Sequence, residues 1–462
     1  MEEIRILHTN DLHSHLENWP KIRRFLHERQ QVAKNQTAIT VDLGDFCDRW
    51  HPLTEATNGK ANIQLMNQVS YDAVTIGNNE GIGNAKSELN HLYDKANFPV
   101  ILDNLFDKRT LQSPDWAKEY KIVTTPLGTK VGLIGATAPF PLTYTPNGWD
   151  ARNWADILPN IIQFLQSKVD VLVLLSHLGI NDDQLIAKEL PEIDVILGSH
   201  THHLFVKGKK IGKTLLAAAG KFGEYVGEVS LSLNEQHQIE SARANTFATK
   251  EMLHYPEDEE EIFQYIDKGQ KLLQEKKVAW LPYKLGVFDQ EHSLVDETLE
   301  AVKKRGKTQA AILNTGLFLD DLSAGVVNQD DLHSILPHPM HMIRVTLKGA
   351  DVIRMVLEME KNRHFLRNFS VRGMGFRGKI FGEIAYSGIQ YDATNHSVKW
   401  VNQPIDPKKI YCFTTVDHFM FIPFFPTIEI AGQVEFLFPE FIRTVLGDYL
   451  TQKYPLSLEN RL

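Results

Sequence analysis

The sequence predicts a layered α/β fold in a chain that is long enough for more than one domain. Through the first half of the chain, short runs of apolar and β-branched residues alternate with stretches of helical period, which is typical of layered α/β proteins. The 462 residues exceed one ordinary domain. A hydrophobic content of 43% is sufficient for packed cores.

The predicted elements follow one another in a regular order. Apolar runs predict strands at 4–9, 37–42, 72–76, 169–175 and 193–197. Helical periodicity predicts helices at 22–32, 85–96 and 154–166. A further amphipathic helix is predicted at 258–276, because acidic residues lie near its start and lysines near its end, as the helix dipole favours.

A polar cluster follows each of the five predicted strands. Carboxylate, amide and imidazole side chains in these clusters are candidate metal ligands: Asp11, His13, Asp45, Asn78, His177, His200 and His202. One such cluster alone is more often structural. Five clusters that each follow the carboxyl end of a strand are typical of a functional site, since open α/β sheets place their sites there. Seven ligands can hold two divalent ions when one carboxylate bridges them, and such a pair acts as a clamp for displacement at phosphorus.

Charge and hydropathy exclude several classes of partner. The net charge is −9 and no basic run is present, so long nucleic acid is not an expected partner. No stretch of about 18 apolar residues exists, so no membrane span is expected. Cys47 and Cys412 lie far apart and predict no disulfide framework. No apolar leader precedes the first strand, and we therefore expect a cytoplasmic protein. Bound metals would supply the positive charge for a small phosphorylated substrate, and no protein partner is expected.

The five clusters resemble the motifs of a known family. His-Thr-Asn-Asp-Leu-His at 8–13, Gly-Asp at 44–45, Gly-Asn at 77–78, Ser-His at 176–177 and Gly-Ser-His-Thr-His at 198–202 are similar to those of the calcineurin-like metallophosphoesterases. Within that family the chain looks closest to the branch of 5′-nucleotidases, 2′,3′-cyclic nucleotide phosphodiesterases and UDP-sugar hydrolases. The resemblance implies a four-layer α-β-β-α sandwich followed by a C-terminal α+β domain of the 5′-nucleotidase type.

The resemblance also implies a domain division and a ligand assignment. We expect the metallophosphoesterase domain at 1–255, a linker helix within 256–285 and a substrate-binding domain at 286–462. One ion would be held by Asp11, His13 and His202, and a second by Asn78, His177 and His200, with Asp45 bridging them. A nitrogen and oxygen ligand set without thiolate suits Mn²⁺, Fe, Co²⁺ or Zn²⁺, and the sequence does not choose among these. A water activated by the two ions would attack the phosphorus.

One motif departs from the family pattern at Asn79. The family usually has Gly-Asn-His-Glu-Phe-Asp, where the His protonates the leaving group and the Asp orients it, but this chain has Asn79 and Ile82 at those positions. An amide cannot deliver a proton at neutral pH, and general acid catalysis is worth about 10²–10⁴-fold. The paired loss favours substrates with good leaving groups, such as nucleotide anhydrides or activated diesters. Arg49 could hold a phosphate and His51 could supply a proton in compensation.

The second half of the chain resembles the family only in patches. Asn314 and Gly316 match its Asn-x-Gly motif, but Leu319 stands where the family has a phosphate-binding Arg, and the late Gly-Gly-Asp-Gly segment is absent. Candidate substrate-binding residues are Asn314, Gly316 and Arg377, the last in a basic glycine-rich loop at 372–379. Four aromatic residues could stack on a nucleobase or belong to the core: Phe381, Tyr386, Phe424 and Phe425.

Three functions are compatible with these motifs. The first is a metal-dependent phosphoesterase that hydrolyses nucleotides or nucleotide-derived phosphodiesters and pyrophosphates. The second is a metallophosphatase or phosphodiesterase for a substrate that is not a nucleotide. The third is a metal-containing ligand binder with weakened catalysis, and the retained ligand set argues against it.

Overall fold

The computed structural model of the protein describes residues 2–31, 36–371, 373 and 375–457. The chain forms two compact units, of which the first ends at Gly269 and the second begins at Gln270. This division falls inside one helix, Pro256–Gln274, which contains most of the amphipathic segment predicted at 258–276. In the described part of the chain, no helix is both long and apolar enough to cross a membrane.

The first unit contains strands and helices in alternation. Its strands are β1 Glu2–Thr9, β2 Gln36–Asp42, β3 Ala73–Val74, β4 Val100–Ile101, β5 Leu105–Asp107, β6 Ala117–Lys118, β7 Tyr120–Thr124, β8 Lys130–Thr137, β9 Trp149–Ala151, β10 Val171–His177, β11 Val195–Gly198, β12 Lys209–Ile211, β13 Thr214–Ala217, β14 Tyr225–Leu233 and β15 Ile239–Ala248. Its helices are α1 Trp19–Gln30, α2 Pro52–Thr57, α3 Lys60–Met66, α4 Asn78–Gly81, α5 Lys86–Leu89, α6 Pro141–Tyr144, α7 Trp154–Leu165, α8 Ile180–Glu189 and α9 Pro256–Gln274.

Two sheets face each other in the first unit. One has the order β15-β14-β1-β2-β3-β4-β6 and the other the order β12-β13-β11-β10-β8-β7. Side chains from both sheets share one hydrophobic cluster, in which Ile6 of β1 and Val173 of β10 are fully buried. Alternate side chains of the same strands point the other way, so Leu7 and Leu174 belong to separate outer clusters.

Helices cover the outer face of each sheet. Trp19 and Ile22 of α1 pack in the cluster of the first sheet, whereas Leu158 and Ile162 of α7 pack in the cluster of the second. The result is a four-layer arrangement of helices, sheet, sheet and helices, as the resemblance implied. Strands buried on both faces read as continuous apolar runs, which is why β10 was recognisable from its sequence.

The helix predicted at 85–96 is wrong beyond its first turn. Helix α5 ends at Leu89, and the chain continues in short turns in which the N–H of His91 donates to Glu88 O at 3.0 Å. Leu92 and Phe98 are buried in the same cluster as Leu89, so tertiary packing overrides a weak helical period here. Helix α1 begins earlier than predicted, with Pro20 in its first turn, and position 32 lies outside the described residues.

The second unit contains a mixed sheet with helices. Its strands are β16 Lys277–Leu281, β17 Ala310–Asn314, β18 Gly325–Asn328, β19 His341–Lys348, β20 Ile384–Ser387, β21 Ile389–Asp392, β22 Ser397–Trp400, β23 Gln403–Pro404, β24 Ile410–Val416 and β25 Gln433–Phe441. Its helices are α10 Leu294–Gly306, α11 Gln329–Ile335, α12 Gly349–Leu366, α13 Thr427–Ala431 and α14 Ile442–Lys453.

Five strands of the second unit form the sheet β20-β17-β24-β19-β25. Within it, β17 runs parallel to β24 and the other neighbours pair antiparallel. One large apolar cluster fills this unit and includes side chains from its sheet and from α10, α12 and α14. The mixture of mostly antiparallel strands and packed helices makes this unit α+β, as expected.

Candidate metal centre

The predicted ligands lie just beyond the carboxyl ends of strands in both sheets of the first unit. Asp11 and His13 follow β1, Asp45 follows β2, and Asn78 begins α4 shortly after β3. His177 ends β10, and His200 and His202 follow β11. Because β1, β2 and β3 run parallel, as do β10 and β11, their carboxyl ends meet at common edges.

Five of the seven candidate ligands have a left-handed backbone conformation. Their φ angles are 49° at Asp11, 49° at His13, 53° at Asp45, 72° at His200 and 58° at His202. Residues other than glycine rarely adopt this conformation, and it persists only where the surrounding structure enforces it. Strain concentrated on these residues indicates that the loops are shaped to direct the side chains inward.

The ligating atoms form two groups. Asp11, His13 and His202 make the first group, and Asp45, His177 and His200 make the second; within each group the candidate atoms lie within 4.8 Å of one another. In the first group, His13 Nε2 is 3.1 Å from His202 Nε2 and 3.8 Å from Asp11 Oδ1. Distances of this size between ligand atoms are compatible with a shared cation.

Asp45 lies between the two groups. Its Oδ2 atom is 3.3 Å from His177 Nε2 in one group and 3.7 Å from His13 Nε2 in the other. The Asp45 side chain is buried, which leaves its oxygens facing protein groups instead of solvent. The structure thus contains two candidate metal sites with a carboxylate placed to contact both.

Unpaired polar atoms support a cation at the second group. Within the described residues, the buried Asn78 Oδ1 atom has no hydrogen-bond partner, and the buried His177 Nε2 atom faces Asp45 Oδ2 at 3.3 Å. The backbone at Gly77 approaches this group so closely that a Cβ there would lie 2.0 Å from Asp45 Oδ1 and 2.5 Å from His177 Cε1. Buried polar atoms without partners are costly, and a metal ion would satisfy them.

Electrostatics prepare the histidines to bind a metal. Burial, followed by the charge of His177, lowers the pKa of His200 to about 4. Burial, followed by the charges of His13 and Lys221, lowers the pKa of His202 to about 3. Burial by itself would lower the pKa of His177, but the Asp45 carboxylate, the charge of Asp11 and the Leu43 carbonyl together outweigh burial and raise that pKa to about 10. The neutral rings of His200 and His202 can ligate a metal directly, and the negative charge of Asp45 attracts a cation.

Two buried carboxylates that the sequence analysis did not assign hold the ligand loops. Glu80 accepts backbone N–H groups of Asp45 and Gly77 at Oε2 and of Cys47 at Oε1, all within 2.9 Å. Asp48 Oδ2 lies 3.4 Å from His13 Nδ1, on the ring edge away from the other ligands. A carboxylate at Nδ1 fixes the ring orientation and leaves Nε2 for a metal. The only sequence signal was their position within the motifs.

Asn79 lies directly against the candidate ligands. Its backbone N–H donates to Asp45 Oδ1 at 2.7 Å, and its side-chain Nδ2 donates to Asp45 Oδ2 at 2.8 Å. Nδ2 also lies 3.2 Å from His13 Nδ1. The structure therefore places an amide donor, and no acid, where the family pattern has its histidine.

Arg49 and His51 are engaged elsewhere. The Arg49 guanidinium donates to Glu55 at 2.6 Å and lies 3.6 Å from Glu88, so carboxylates already balance its charge. His51 is the N-terminal cap of α2, where its Nδ1 accepts the N–H of Leu53 at 3.2 Å. These contacts give both residues structural roles, and phosphate binding by Arg49 and proton donation by His51 stay predictions.

Two of the four aromatic candidates for stacking belong to the core of the second unit. Phe381 and Phe425 are completely buried and lie 6.1 Å apart, edge to face. A ring enclosed by protein presents no face to a nucleobase, so the core interpretation replaces the stacking interpretation for both. Asn314 is also buried, and its Nδ2 donates to the carbonyl of Phe381 at 2.6 Å.

The other candidates in the second unit retain partial exposure. Tyr386 is half-buried and its hydroxyl donates to Glu360 at 2.8 Å, while Phe424 packs edge to face on Phe365. The Arg377 N–H donates to His338 Nδ1 at 2.8 Å, and positions 372 and 374 of its loop lie outside the described residues. Gly316 is tightly enclosed, because a Cβ there would lie 1.9 Å from the carbonyl of Ile380.

Comparison with known proteins identifies the family. The calcineurin-like phosphoesterase model matches residues 4–204, and the 5′-nucleotidase C-terminal domain model matches residues 285–421. The uncharacterized metallophosphoesterase YunD of Bacillus subtilis is 35% identical over 98% of this chain and 100% of its own length. The chain therefore belongs to the calcineurin-like phosphoesterases that carry a 5′-nucleotidase C-terminal domain.

Solved structures share the same fold at low sequence identity. A 5′-nucleotidase precursor from Thermus thermophilus aligns with a TM-score of 0.58 at 18% identity, covering 99% of this chain and 98% of its own. The NAD nucleotidase of Haemophilus influenzae aligns with a TM-score of 0.65 at 18% identity, covering 92% of this chain and 91% of its own. Both likenesses extend over the two units of the chain.

Proposed function

We propose that this protein is a metal-dependent phosphoesterase that hydrolyses nucleotides, or phosphodiesters and pyrophosphates derived from nucleotides, at a centre of two divalent ions. The observation that carries the proposal is the position of Asp45, whose Oδ2 lies near one histidine of each ligand group. A carboxylate shared in this way is what a two-ion centre requires. Asp11, His13 and His202 would hold one ion, and Asn78, His177 and His200 the other.

When bound, the two ions would supply a water of lowered pKa and neutralise charge on the phosphoryl oxygens. The nitrogen and oxygen donors without thiolate suit Mn²⁺, Fe, Co²⁺ or Zn²⁺. The buried carboxylates of Glu80 and Asp48 keep the ligand loops and the His13 ring in place, so that little reorganisation accompanies the reaction. Asn79 would supply an amide N–H that donates a hydrogen bond to a phosphoryl oxygen.

The amide at Asn79 sets the preferred leaving group. No proton donor replaces the family histidine at this position, and a nucleoside alkoxide leaves poorly without one. A phosphate or nucleotide leaving group departs as a stable anion and does not need the proton. We therefore infer a preference for pyrophosphate bonds and activated diesters over simple nucleoside monophosphates.

A substrate that is not a nucleotide is the second candidate. The burial of Phe381 and Phe425 removes two of the four aromatic residues that could have stacked on a base. Leu319 stands in place of the family's phosphate-binding arginine. A generic phosphodiester or sugar phosphate would need neither group.

A substrate panel tests the proposal. Chelator-treated protein is reloaded with Mn²⁺, and its metal content is measured before the addition of a dinucleotide pyrophosphate, a UDP-sugar, AMP, a cyclic nucleotide, a sugar phosphate and bis-p-nitrophenyl phosphate. We expect two ions per chain and faster turnover of the pyrophosphates than of AMP. Much faster hydrolysis of AMP would contradict the leaving-group argument, and inactivity on every compound would favour a binding protein.

A further inference from the structure

A tight turn at 220–223 is tied to the loops of the metal centre. The N–H of Phe222 donates to the carbonyl of Asp11 at 2.7 Å, and the N–H of Gly220 donates to the carbonyl of His203 at 2.9 Å. Asn10 also donates its side-chain amide to the carbonyl of Gly220 at 2.8 Å. The turn is thus held by both loops that supply the first ligand group.

The turn has a strained backbone at Phe222. This residue has a φ of 59°, a left-handed conformation that a bulky side chain rarely adopts. The following Gly223 has a φ of 64°, and a Cβ there would lie 2.6 Å from a methyl group of Leu12. Outliers of this kind cluster at functional sites, where the surrounding structure enforces them.

The strained conformation puts an aromatic ring beside the ligands and a lysine against that ring. The Phe222 ring lies 5.8 Å from the ring of His13 and 6.3 Å from that of His202. Lys221 Nζ is 4.5 Å from the centre of the Phe222 ring. The ammonium group therefore lies against a ring that itself neighbours two candidate ligands.

Carboxylates balance the positive charge of Arg49 but not that of Lys221 in the described residues. Arg49 contacts the carboxylates of Glu55 and Glu88. Across residues 2–31, 36–371, 373 and 375–457, no carboxylate forms an ion pair with Lys221. The side chain is half-buried, so its charge is less screened than that of a fully exposed lysine. Within the described residues this ammonium group contacts an aromatic ring but no carboxylate, so it is suited to bind an anion.

We propose that Lys221 is a specificity-determining residue that binds a second phosphate group in the leaving group of the substrate. This inference rests on the proposed function and narrows it to phosphoanhydrides. The oxygen of water forms a bond to one phosphorus while the bridging P–O bond breaks, and the bridging oxygen departs on the second phosphate with the electron pair. The proton of the attacking water passes to solvent. Lys221 stabilises the charge that develops on the departing phosphate, which offsets the missing acid at Asn79.

The test compares Lys221→Gln with Lys221→Arg and with a matched control, Lys168→Gln. Lys168 also contacts a phenylalanine, with its Nζ over the Phe164 ring, but it follows α7 on the outer helical layer. Each Mn²⁺-loaded protein is measured with a dinucleotide pyrophosphate and with bis-p-nitrophenyl phosphate, which has no second phosphate. Calorimetry gives the affinity for imidodiphosphate and for orthophosphate, and elemental analysis gives the metal content.

We expect Lys221→Gln to lower kcat/KM for the pyrophosphate by about 10- to 100-fold, since contacts with charged groups contribute in this range. Its kcat/KM for the diester and its metal content should stay within about twofold of the parent protein's, and imidodiphosphate affinity should fall more than orthophosphate affinity. Lys221→Arg should recover most of the loss, and Lys168→Gln should behave as the parent protein.

Equal losses on both substrates, or no loss on either, would overturn the role of Lys221. A lower metal content in Lys221→Gln would also overturn it, because the residue would then support the ions instead of the substrate. If the parent protein hydrolyses neither compound, the proposed phosphoesterase function fails. The difference in imidodiphosphate affinity between the parent protein and Lys221→Gln would then decide the binding role independently.

Discussion

The two units of this protein differ in how well the sequence predicts which of their residues could bind a metal or a substrate. In the first unit, six of the predicted ligands, from four separate motifs, lie together at the ends of neighbouring strands. In the second unit, Phe381 and Phe425 are enclosed in the core, and Asn314 bonds to the backbone carbonyl of Phe381.

The difference follows from the chemistry of the side chains. A buried carboxylate or imidazole needs a partner, so a short polar motif after an apolar strand has few explanations. An aromatic side chain is equally suited to a core and to a stacking surface, because both environments reward apolar contact. Sequence motifs therefore identify polar ligands more reliably than aromatic binding residues.

The largest expected effect comes from removing the carboxylate shared by the two ligand groups. Asp45→Ala should lower phosphoesterase activity by about 10³-fold or more, because the two ions supply several kcal/mol of transition-state stabilisation. Elemental analysis should show fewer than two ions per chain. Asp150→Ala, which removes a partly exposed carboxylate paired with Arg152, is the control and should retain activity. Two ions per chain and full activity in Asp45→Ala would show that Asp45 is not a shared ligand of the metal centre.

A core role for Phe381 predicts a loss of stability. Phe381→Ala should lower the free energy of unfolding by about 3–5 kcal/mol, the range for a fully buried phenylalanine. Urea denaturation of the full chain measures the effect, and Phe365→Ala, at a ring that is 52% exposed, should cost much less. A raised KM for nucleotides without a loss of stability would instead restore the stacking role.

A positioning role for Asp48 predicts weaker metal binding. Asp48→Asn should lower Mn²⁺ affinity by about 10- to 100-fold, because the carboxylate near His13 Nδ1 orients that ring. Calorimetric titration of chelator-treated protein measures the affinity. Asp94→Asn changes the exposed pair of Asp94 with His91 and should bind Mn²⁺ normally. Unchanged affinity in Asp48→Asn would assign the contact a purely structural role.

The smallest effect concerns the basic loop of the second unit. Arg377→Ala should raise KM for a nucleotide by about tenfold, the lower end for a contact with a charged group, and should leave KM for bis-p-nitrophenyl phosphate unchanged. Lys379→Ala, at an exposed basic residue of the same loop, is the matched control. Steady-state kinetics on both substrates decide the matter, and equal changes on the two would exclude nucleotide binding by Arg377.

Much of the fold was predictable because its strands are buried on both faces. The run that became β10 is apolar from Val171 to Leu175 and buried along its whole length, and few other packings accommodate it. The helix predicted at 85–96 is wrong beyond Leu89, because Leu92 and Phe98 can be buried by turns as well as by a helix. The sequence also left Asp48, Glu80 and Lys221 unassigned, since each acts through neighbours that are distant in the chain.

The sequence by itself determined which side chains could ligate metal and which strands carry them, because a buried polar side chain after an apolar strand needs a polar or metal partner. Only the tertiary structure decided how these side chains meet. It enforced left-handed backbone at Asp11, Asp45 and His202. It also placed Asp45 between two groups and set the Phe222 ring, which contacts Lys221, beside one of them. Such contacts depend on loops from separate strands, and no local pattern in the chain encodes their distances.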